Sequence, residues 1–476
     1  MKQDKAVAKY LATYSETTAG AGGELLGSFD HALVIPAAGE GPGLDAAVAS
    51  VPGGSRGATL VVVVVNERED AGDQVRRANA QAVARLRRHY PGGAAPFGRL
   101  VVLEEVLPAR QGVGLARKLG CDFVLGVWAA GNLATPWIHM TDADALVGSD
   151  YFDVSAGLSG AALVYPFEHV APAGASLEDE TRDSIAGSGA GSGTVARADT
   201  AVGSDTAIGG DTAVGSDTAI GSGTAVGVAT VPEAMARYEI MLRHYVAGLR
   251  AAGSPYAFHS IGSTIAVDAV AYAQVRGVPR LLAAEDFYLL SKLAKVGPVV
   301  QVPGSPIRLS ARLSGRVPFG TGRALRDSDL GRMRDCYHPE IFALLGELLR
   351  ELDAVPPRLA LRDARLAAAA DSIGLGEAYL HAWQREGGAR QPDHAADRVR
   401  ERMREWLDGF RTRKLVHALR DTGLASAPAE VHVPNSAFLE SLAPGAGLSE
   451  ILVALQREDA AQATTKRGRG GPAWSR

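Results

Sequence analysis

The apolar positions of the chain fall first into short unbroken runs and later into helical stripes. Leu60-Val-Val-Val-Val-Val65 is a run of six apolar residues without polar alternation, the pattern of a strand buried on both faces of a parallel sheet. His31-Ala-Leu-Val-Ile-Pro36 predicts an earlier strand, stopped by Pro36 and a glycine-rich loop to Gly43. Residues 73–89 have helical spacing, with Val75, Ala78, Val83 and Leu86 as the expected inner face. Further strands are predicted at Arg99–Leu103, Trp137–Met140 and Ala161–Tyr165, with a helix carrying Leu115 and Leu119 between the first two. This alternation predicts an α/β fold: a mostly parallel sheet flanked by helices.

The pattern breaks after residue 165. From Asp183 to Thr230 the chain is Gly, Ser, Ala, Thr and Asp with isolated Val or Ile. Inside lies a hexapeptide repeat, Asp-Thr-Ala-[Val/Ile]-Gly-[Ser/Gly], starting at Asp199, Asp205, Asp211 and Asp217. Its phase resembles the rungs of a left-handed β-helix. Four repeats supply fewer than two coils of such a helix and bury no core, so 183–230 is expected to be a low-complexity insert. Helical stripes resume with Glu233–Ala252, whose expected inner face is Met235, Tyr238, Leu242, Tyr245 and Leu249. Glu285–Lys295 predicts another helix and Val299–Val302 a strand. From 326 to 456 the spacing is helical, including Glu340–Leu352, Arg362–Ala370 and Asp393–Leu419. The expected organisation is a leader over 1–27, an α/β domain over 28–325 interrupted by the insert, a helical C-terminal subdomain over 326–456, and a flexible tail over 457–476.

Composition narrows the function classes. Net charge is −4, from 49 basic and 53 acidic residues, so no global basic field exists to hold nucleic acid. Two cysteines, Cys121 and Cys336, make neither a disulfide framework nor a cysteine-rich zinc site. The first 14 residues lack the apolar core of a signal peptide. The six-residue run at 60–65 is far short of the ~20 needed to span a bilayer. These features predict a cytoplasmic protein without a transmembrane segment.

Four segments carry candidate chemistry. Trp137-Ile-His-Met-Thr-Asp142-Ala-Asp144 runs an apolar strand into two carboxylates separated by one residue. At the carboxyl edge of a parallel sheet that spacing presents oxygen ligands to Mg²⁺ or Mn²⁺, or else forms a simple turn. Gly277-Val-Pro-Arg-Leu-Leu-Ala-Ala-Glu285-Asp286 places two acids at a helix start, where Asp286 is either a base or a cap. Arg308, Arg312, Arg316 and Arg323 lie among Ser, Thr and Gly, in a loop that either closes over a diphosphate or is simply solvated. Tyr256–Ser263, including His259, is a candidate wall of an acceptor pocket. Gly112-Val-Gly114 lacks the third glycine of a dinucleotide site.

The order of these segments resembles the GT-A fold glycosyltransferases, in particular the family 2-like group. The resemblance rests on Ile35-Pro-Ala-Ala-Gly-Glu40, the strand ending at Asn66, Leu115-Ala-Arg117-Lys-Leu-Gly120, Asp142-Ala-Asp144 and Glu285-Asp286. It covers roughly residues 30–325 without the insert. It implies a metal-dependent transfer of sugar from a UDP- or GDP-linked donor to a hydroxyl acceptor, with inversion. Asp142 and Asp144 would bind Mg²⁺ or Mn²⁺. Pro36, Ala37 and Glu40 would touch the nucleotide, and Asn66 the base or ribose. Arg117, Arg312 and Arg316 would meet the diphosphate. Asp286 would be the general base, with Glu285 beside it.

The chain departs from the family pattern at Gly39 and Lys118, where Asn is expected, and at Asn66, where Asp is expected. Neither a Gln-x-x-Arg-Trp motif nor membrane helices follow, which disfavours a processive polysaccharide synthase. Two alternatives stand beside the transferase. One is a nucleotidyltransferase, disfavoured because loop 37–45 has no Lys or Arg. The other is a non-catalytic nucleotide-sugar-binding protein, disfavoured by retention of both acidic pairs.

Overall fold

Two apolar runs set the centre of the sheet. In the computed structural model, which describes residues 5–53, 57–170, 231–310, 335–356, 359–387, 392–439, 442–443 and 445–465, β1 (His31–Ala37) lies parallel to β2 (Thr59–Arg68), with Leu33 beside Val61 and Ile35 beside Val63. Residues 32–37 and 59–66 are all buried, because helices cover both faces. Leu33, Ile35, Val61 and Val63 pack with Leu44 and Val48 of α3 (Gly43–Ala49) and Val83 and Leu86 of α4 (Asp73–His89). Val34, Val62 and Val64 pack on the other face with Ala116 and Leu119 of α5 (Val113–Ala129).

Six further strands complete this sheet: β3 (Ala94–Ala95), β4 (Gly98–Leu107), β5 (Trp137–Met140), β7 (Ala162–Val164), β9 (Ile265–Asp268) and β10 (Val299–Gln301). The order is β10-β7-β9-β5-β1-β2-β4-β3, parallel through β5, β1, β2 and β4, with β9 antiparallel to both neighbours. The predicted α/β architecture, a mostly parallel sheet flanked by helices, is the one observed. The insert over 183–230 lies outside the described residues.

A second, three-stranded sheet was not expected. β6 (Ala145–Leu146), β11 (Ile307–Ser310) and β8 (Phe167–Val170) form it in the order β6-β11-β8. Its strands have two to four residues each, too few for a periodicity to show.

The N-terminal segment, expected as a leader, contributes to the core. α1 (Lys5–Thr13) buries Val7 and Tyr10, and α2 (Thr18–Gly23) packs along α5. The Tyr10 hydroxyl donates to the fully buried Asp122 at 2.6 Å, and Lys118 pairs with Asp122 at 2.8 Å. Lys118, a departure from the family pattern, thus supplies the cation of an internal pair that ties α1 to α5.

α6 (Val231–Ala251) crosses to the C-terminal part, and α7 (Ala269–Gln274) and α8 (Glu285–Leu293) follow. Then come α9 (Pro339–Ala354), α10 (Ala364–Ser372), α11 (Leu375–Arg385), α12 (Pro392–Trp406), α13 (Gly409–Asp421), α14 (Ala429–His432) and α15 (Leu448–Thr465). The single helix expected over 393–419 is two helices. Asp408 caps the second, accepting from the Arg411 N–H at 3.1 Å, as Asp favours at that position. The expected face of α6 is also corrected: Glu239, Arg243 and His244 are buried along with Met235 and Leu249. The helix is packed on several sides and has to satisfy those groups internally.

Asp459, placed in the expected flexible tail, is instead buried in α15. It accepts from Arg243, Arg250 and His259 at 2.5, 3.1 and 2.9 Å. Burial alone would raise its pKa, but His259, Arg243 and Arg250 reverse that and hold the carboxyl well below the usual range. Glu239 behaves alike: burial opposes its charge, yet His169 and Arg243 bring it down to about 2. Among the described residues no helix is long and apolar enough to cross a membrane.

Candidate active site at the carboxyl edge of the sheet

Parallel strands end at a common edge, so β1, β2 and β5 deliver Ala37, Asn66 and Asp142 to the same side of the molecule. The turn 142–144 follows β5 directly and leads into β6. Burial alternates there. Thr141, Ala143 and Ala145 are buried, while Asp142 and Asp144 are half-buried. β11 runs antiparallel to β6, with Leu309 opposite Ala145, so the chain reaches Ser310 beside the aspartate turn. Arg312 and Arg316 lie outside the described residues.

Arg117 gathers the separate motifs. It is 4% exposed in the second turn of α5. One guanidinium nitrogen, Nη1, donates to Glu285 Oε1 at 2.5 Å, and the other, Nη2, donates to Asp142 Oδ1. Burial disfavours its charge, but Asp142, Glu285 and Asp286 outweigh burial and keep it protonated. Arg117, expected against a diphosphate, is therefore committed to the protein's own carboxylates.

The acidic pair opens α8. Glu285 is 3% exposed, and burial pushes its pKa up to about 7 against the pull of Arg117, with Asp286 and Asp142 adding to the rise. Asp286 is half-buried. Its pKa is also raised, first by desolvation, while Arg117 and backbone N–H donation from Phe287 and Gly262 oppose the rise. The Phe287 N–H donates at 2.7 Å. Asp286 is thus held within its helix start, yet keeps an exposed portion.

Gly262 explains how the cluster closes. A Cβ built there would overlap the Arg117 guanidinium. Only glycine leaves room at this point. Gly262→Ala should therefore displace Arg117 and lower the melting temperature by several degrees, since overpacking costs about 1–3 kcal/mol. An unchanged melting temperature would contradict the close approach.

Asn79 is a residue that helical periodicity missed. It is buried in α4, where Val75 and Ala78 were expected inside but are only half-buried. Its side-chain oxygen accepts from the Gly39 N–H at 2.8 Å, and its side-chain nitrogen donates to the Asn66 carbonyl at 2.9 Å. Asn66, read above as a base or ribose contact, is itself 6% exposed and donates to the Ala37 carbonyl at 2.9 Å. Together they brace the loop after β1. Gly39 adopts φ +65° there. Glycine and asparagine are the residues that visit this region most readily, which accounts for glycine at a position where the family has Asn. Pro36 and Ala37 are buried within β1, and Glu40 is buried at the loop's end.

A polar residue inside a predicted apolar face was the available signal for Asn79. Gly112 and Gly114, discounted as a dinucleotide loop, let the start of α5 approach residues 279–282, and the Gly114 N–H donates to the Leu281 carbonyl at 3.1 Å.

The edge holds one buried guanidinium against three carboxylates, with Asp144 two residues from the first. Among the described residues no cluster of three or more His, Cys, Asp or Glu is placed to cage a metal alone. The donor set fits an ion of the Mg²⁺ type, which takes one or two carboxylates and completes its shell with phosphate and water.

No protein-family model matches the chain, and no curated protein sequence matches it. Solved structures resemble it at low identity. The S. aureus TarS 1–349 structure in complex with UDP-GlcNAc is 10% identical, covering 79% of this chain and 91% of its own, with a TM-score of 0.34. A second TarS 1–349 structure gives 12%, 79%, 90% and 0.32. The mannosyltransferase PcManGT from Pyrobaculum calidifontis, in complex with GDP-Man and Mn2+, is 13% identical, covering 98% of this chain and 96% of its own, with a TM-score of 0.31.

Proposed function

We propose that the protein is a glycosyltransferase that moves a sugar from a UDP- or GDP-linked donor to a hydroxyl acceptor with inversion. The observation that carries this reading is the convergence of Asp142, Arg117, Glu285 and Asp286 at the carboxyl edge of the parallel sheet. Three separate sequence segments meet there, in the order that resembles the GT-A glycosyltransferases.

In this reading Asp286 accepts the proton of the acceptor hydroxyl as that oxygen attacks the anomeric carbon and the bond to the diphosphate breaks. Arg117 positions both acidic motifs: it holds Glu285 beside the base and draws Asp142 toward it. Asp142 and Asp144 are the residues that would hold Mg²⁺ or Mn²⁺. Asp144 would be the main ligand, as the resemblance to the GT-A glycosyltransferases implies. Such an ion supplies Lewis-acid stabilisation of the leaving diphosphate. The braced loop from Ala37 to Glu40 flanks the space for the nucleotide.

Calorimetric titration tests the donor half. UDP or GDP should bind more tightly with Mn²⁺ than with a chelator. Asp144→Ala should lose that gain, by at least the roughly 10–100-fold in metal affinity that even outer-shell changes cost. Failure of either nucleotide to bind under any metal condition would end the reading.

A further inference from the structure

Beside the acidic pair lies a cavity of about 70 Å³ between α6, α8 and α13. Its walls are mostly apolar and aromatic, and include Met241, Tyr245, Tyr256 and Phe258. One water needs only about 10–15 Å³, so the space suits a single ring or a short branched group. It is far below the ~300–1,000 Å³ that takes a whole drug-sized ligand.

Two observations connect this space to a ligand. The first is Ser291 on α8. It lines the cavity and is 7% exposed, and its hydroxyl has no hydrogen-bond partner among the described residues. An unpaired buried hydroxyl and an unfilled void both cost folding free energy. A guest with an apolar body and one polar atom relieves both.

The second is adjacency. Two wall residues, Ile261 and Phe287, are chain neighbours of Gly262 and Asp286, and Gly262 packs against the Arg117 guanidinium that holds Glu285. The cavity wall and the acidic group are thus built from the same helix start, with Phe287 following Asp286 directly in α8.

We infer that this cavity is the acceptor subsite, and that it takes a ring-sized apolar group whose neighbouring hydroxyl is presented to Asp286. The inference rests on the transferase reading and sharpens it. The acceptor is an alcohol carried on a small hydrophobic ring, and selection comes from the aromatic walls and Ser291. A purely polar polyol leaves the walls unfilled.

The test uses the full chain with benzyl alcohol as ring-bearing probe and glycerol as polar comparison, followed by saturation-transfer NMR. Two substitutions fill the cavity from different sides. A Cβ at Gly409 would stand 2.7 Å from Ser291 Oγ and 3.3 Å from the Tyr256 ring, inside normal contact, so Gly409→Val crowds this wall and pushes its side chains into the void. Met241→Trp does so from a half-exposed position on α6 and serves if the first variant folds poorly. Benzyl alcohol should bind the wild type and weaken about tenfold or more in each filling variant, and about threefold in Ser291→Ala. Glycerol should show no such pattern, and UDP or GDP affinity should not change.

No benzyl alcohol binding to the wild type, or equal binding to wild type and Met241→Trp, overturns the subsite while nucleotide binding leaves the transferase reading standing. Cavity-dependent ring binding in a protein that binds no nucleoside diphosphate overturns the acceptor assignment together with that reading.

Discussion

Asp286→Asn should reduce sugar transfer by about 10²–10⁴-fold, the usual worth of a positioned general base, while nucleoside diphosphate affinity stays unchanged. The amide keeps the shape and the acceptor oxygen for the Phe287 N–H but cannot take a proton. Retained binding with lost turnover separates an enzyme from a binder. Undiminished turnover would remove Asp286 from the mechanism.

The pH profile carries a second signature. A base works ionised, so activity should rise with pH through the titration of the acidic pair. Burial raises both carboxyls, Glu285 to about 7, so the acidic limb should lie well above the ~4 of an ordinary carboxyl. It belongs to the pair rather than to either residue. Stability should run the other way. A carboxyl whose pKa is raised in the folded state holds its proton where the unfolded chain has lost it. Its stabilising contribution is complete below the unfolded value and is lost as pH rises toward 7. Activity and stability should therefore diverge between about pH 4.5 and 7, as urea titrations beside rate measurements would show.

Arg117→Met should destabilise the fold by about 3–5 kcal/mol at pH 8, the cost of leaving a buried charge without its partner. Glu285 is the charge left behind. At pH 5 it can take a proton instead, so the loss should shrink. Adding Glu285→Gln should recover much of the stability, and the double-mutant cycle measures the pair directly. Arg117→Lys should not rescue, because Asp142 and Glu285 occupy two different nitrogens of one planar fork. A loss below about 1 kcal/mol at pH 8 would mean the guanidinium is not the organising group.

Where a segment's environment is uniform, its sequence declared its fate. Leu60–Val65 is buried on both faces, so its unbroken valines read directly as a central strand. Trp137–Met140 was legible for the same reason, and the helix at 73–89 was legible as a helix although the burial of Asn79 in place of Val75 and Ala78 was not. Glu239, Arg243 and His244 were not legible, because the partners that make their burial tolerable are remote: Asp459 lies 216 residues from Arg243. No local pattern announces such a partner. The candidate site was half legible. Motif order singled out segments that the fold brings into contact, but the direction of Arg117 depends on the space left by Gly262, and bracing by Asn79 depends on two loop ends that only the fold makes neighbours. A cation near acids in sequence reads as a ligand for phosphate. In three dimensions it is already satisfied.

The position of Asp459 has a consequence for synthesis. A ribosome delivers the chain from its N-terminus, and residue 459 emerges long after the strands of both sheets. Until then Arg243, Arg250 and His259 sit at the junction of sheet and helices without their common acceptor. The nascent protein can assemble its valine-rich sheet early but cannot lock α6 against it. Chains cut short before this residue should engage chaperones or proteases more than their lost length alone would suggest.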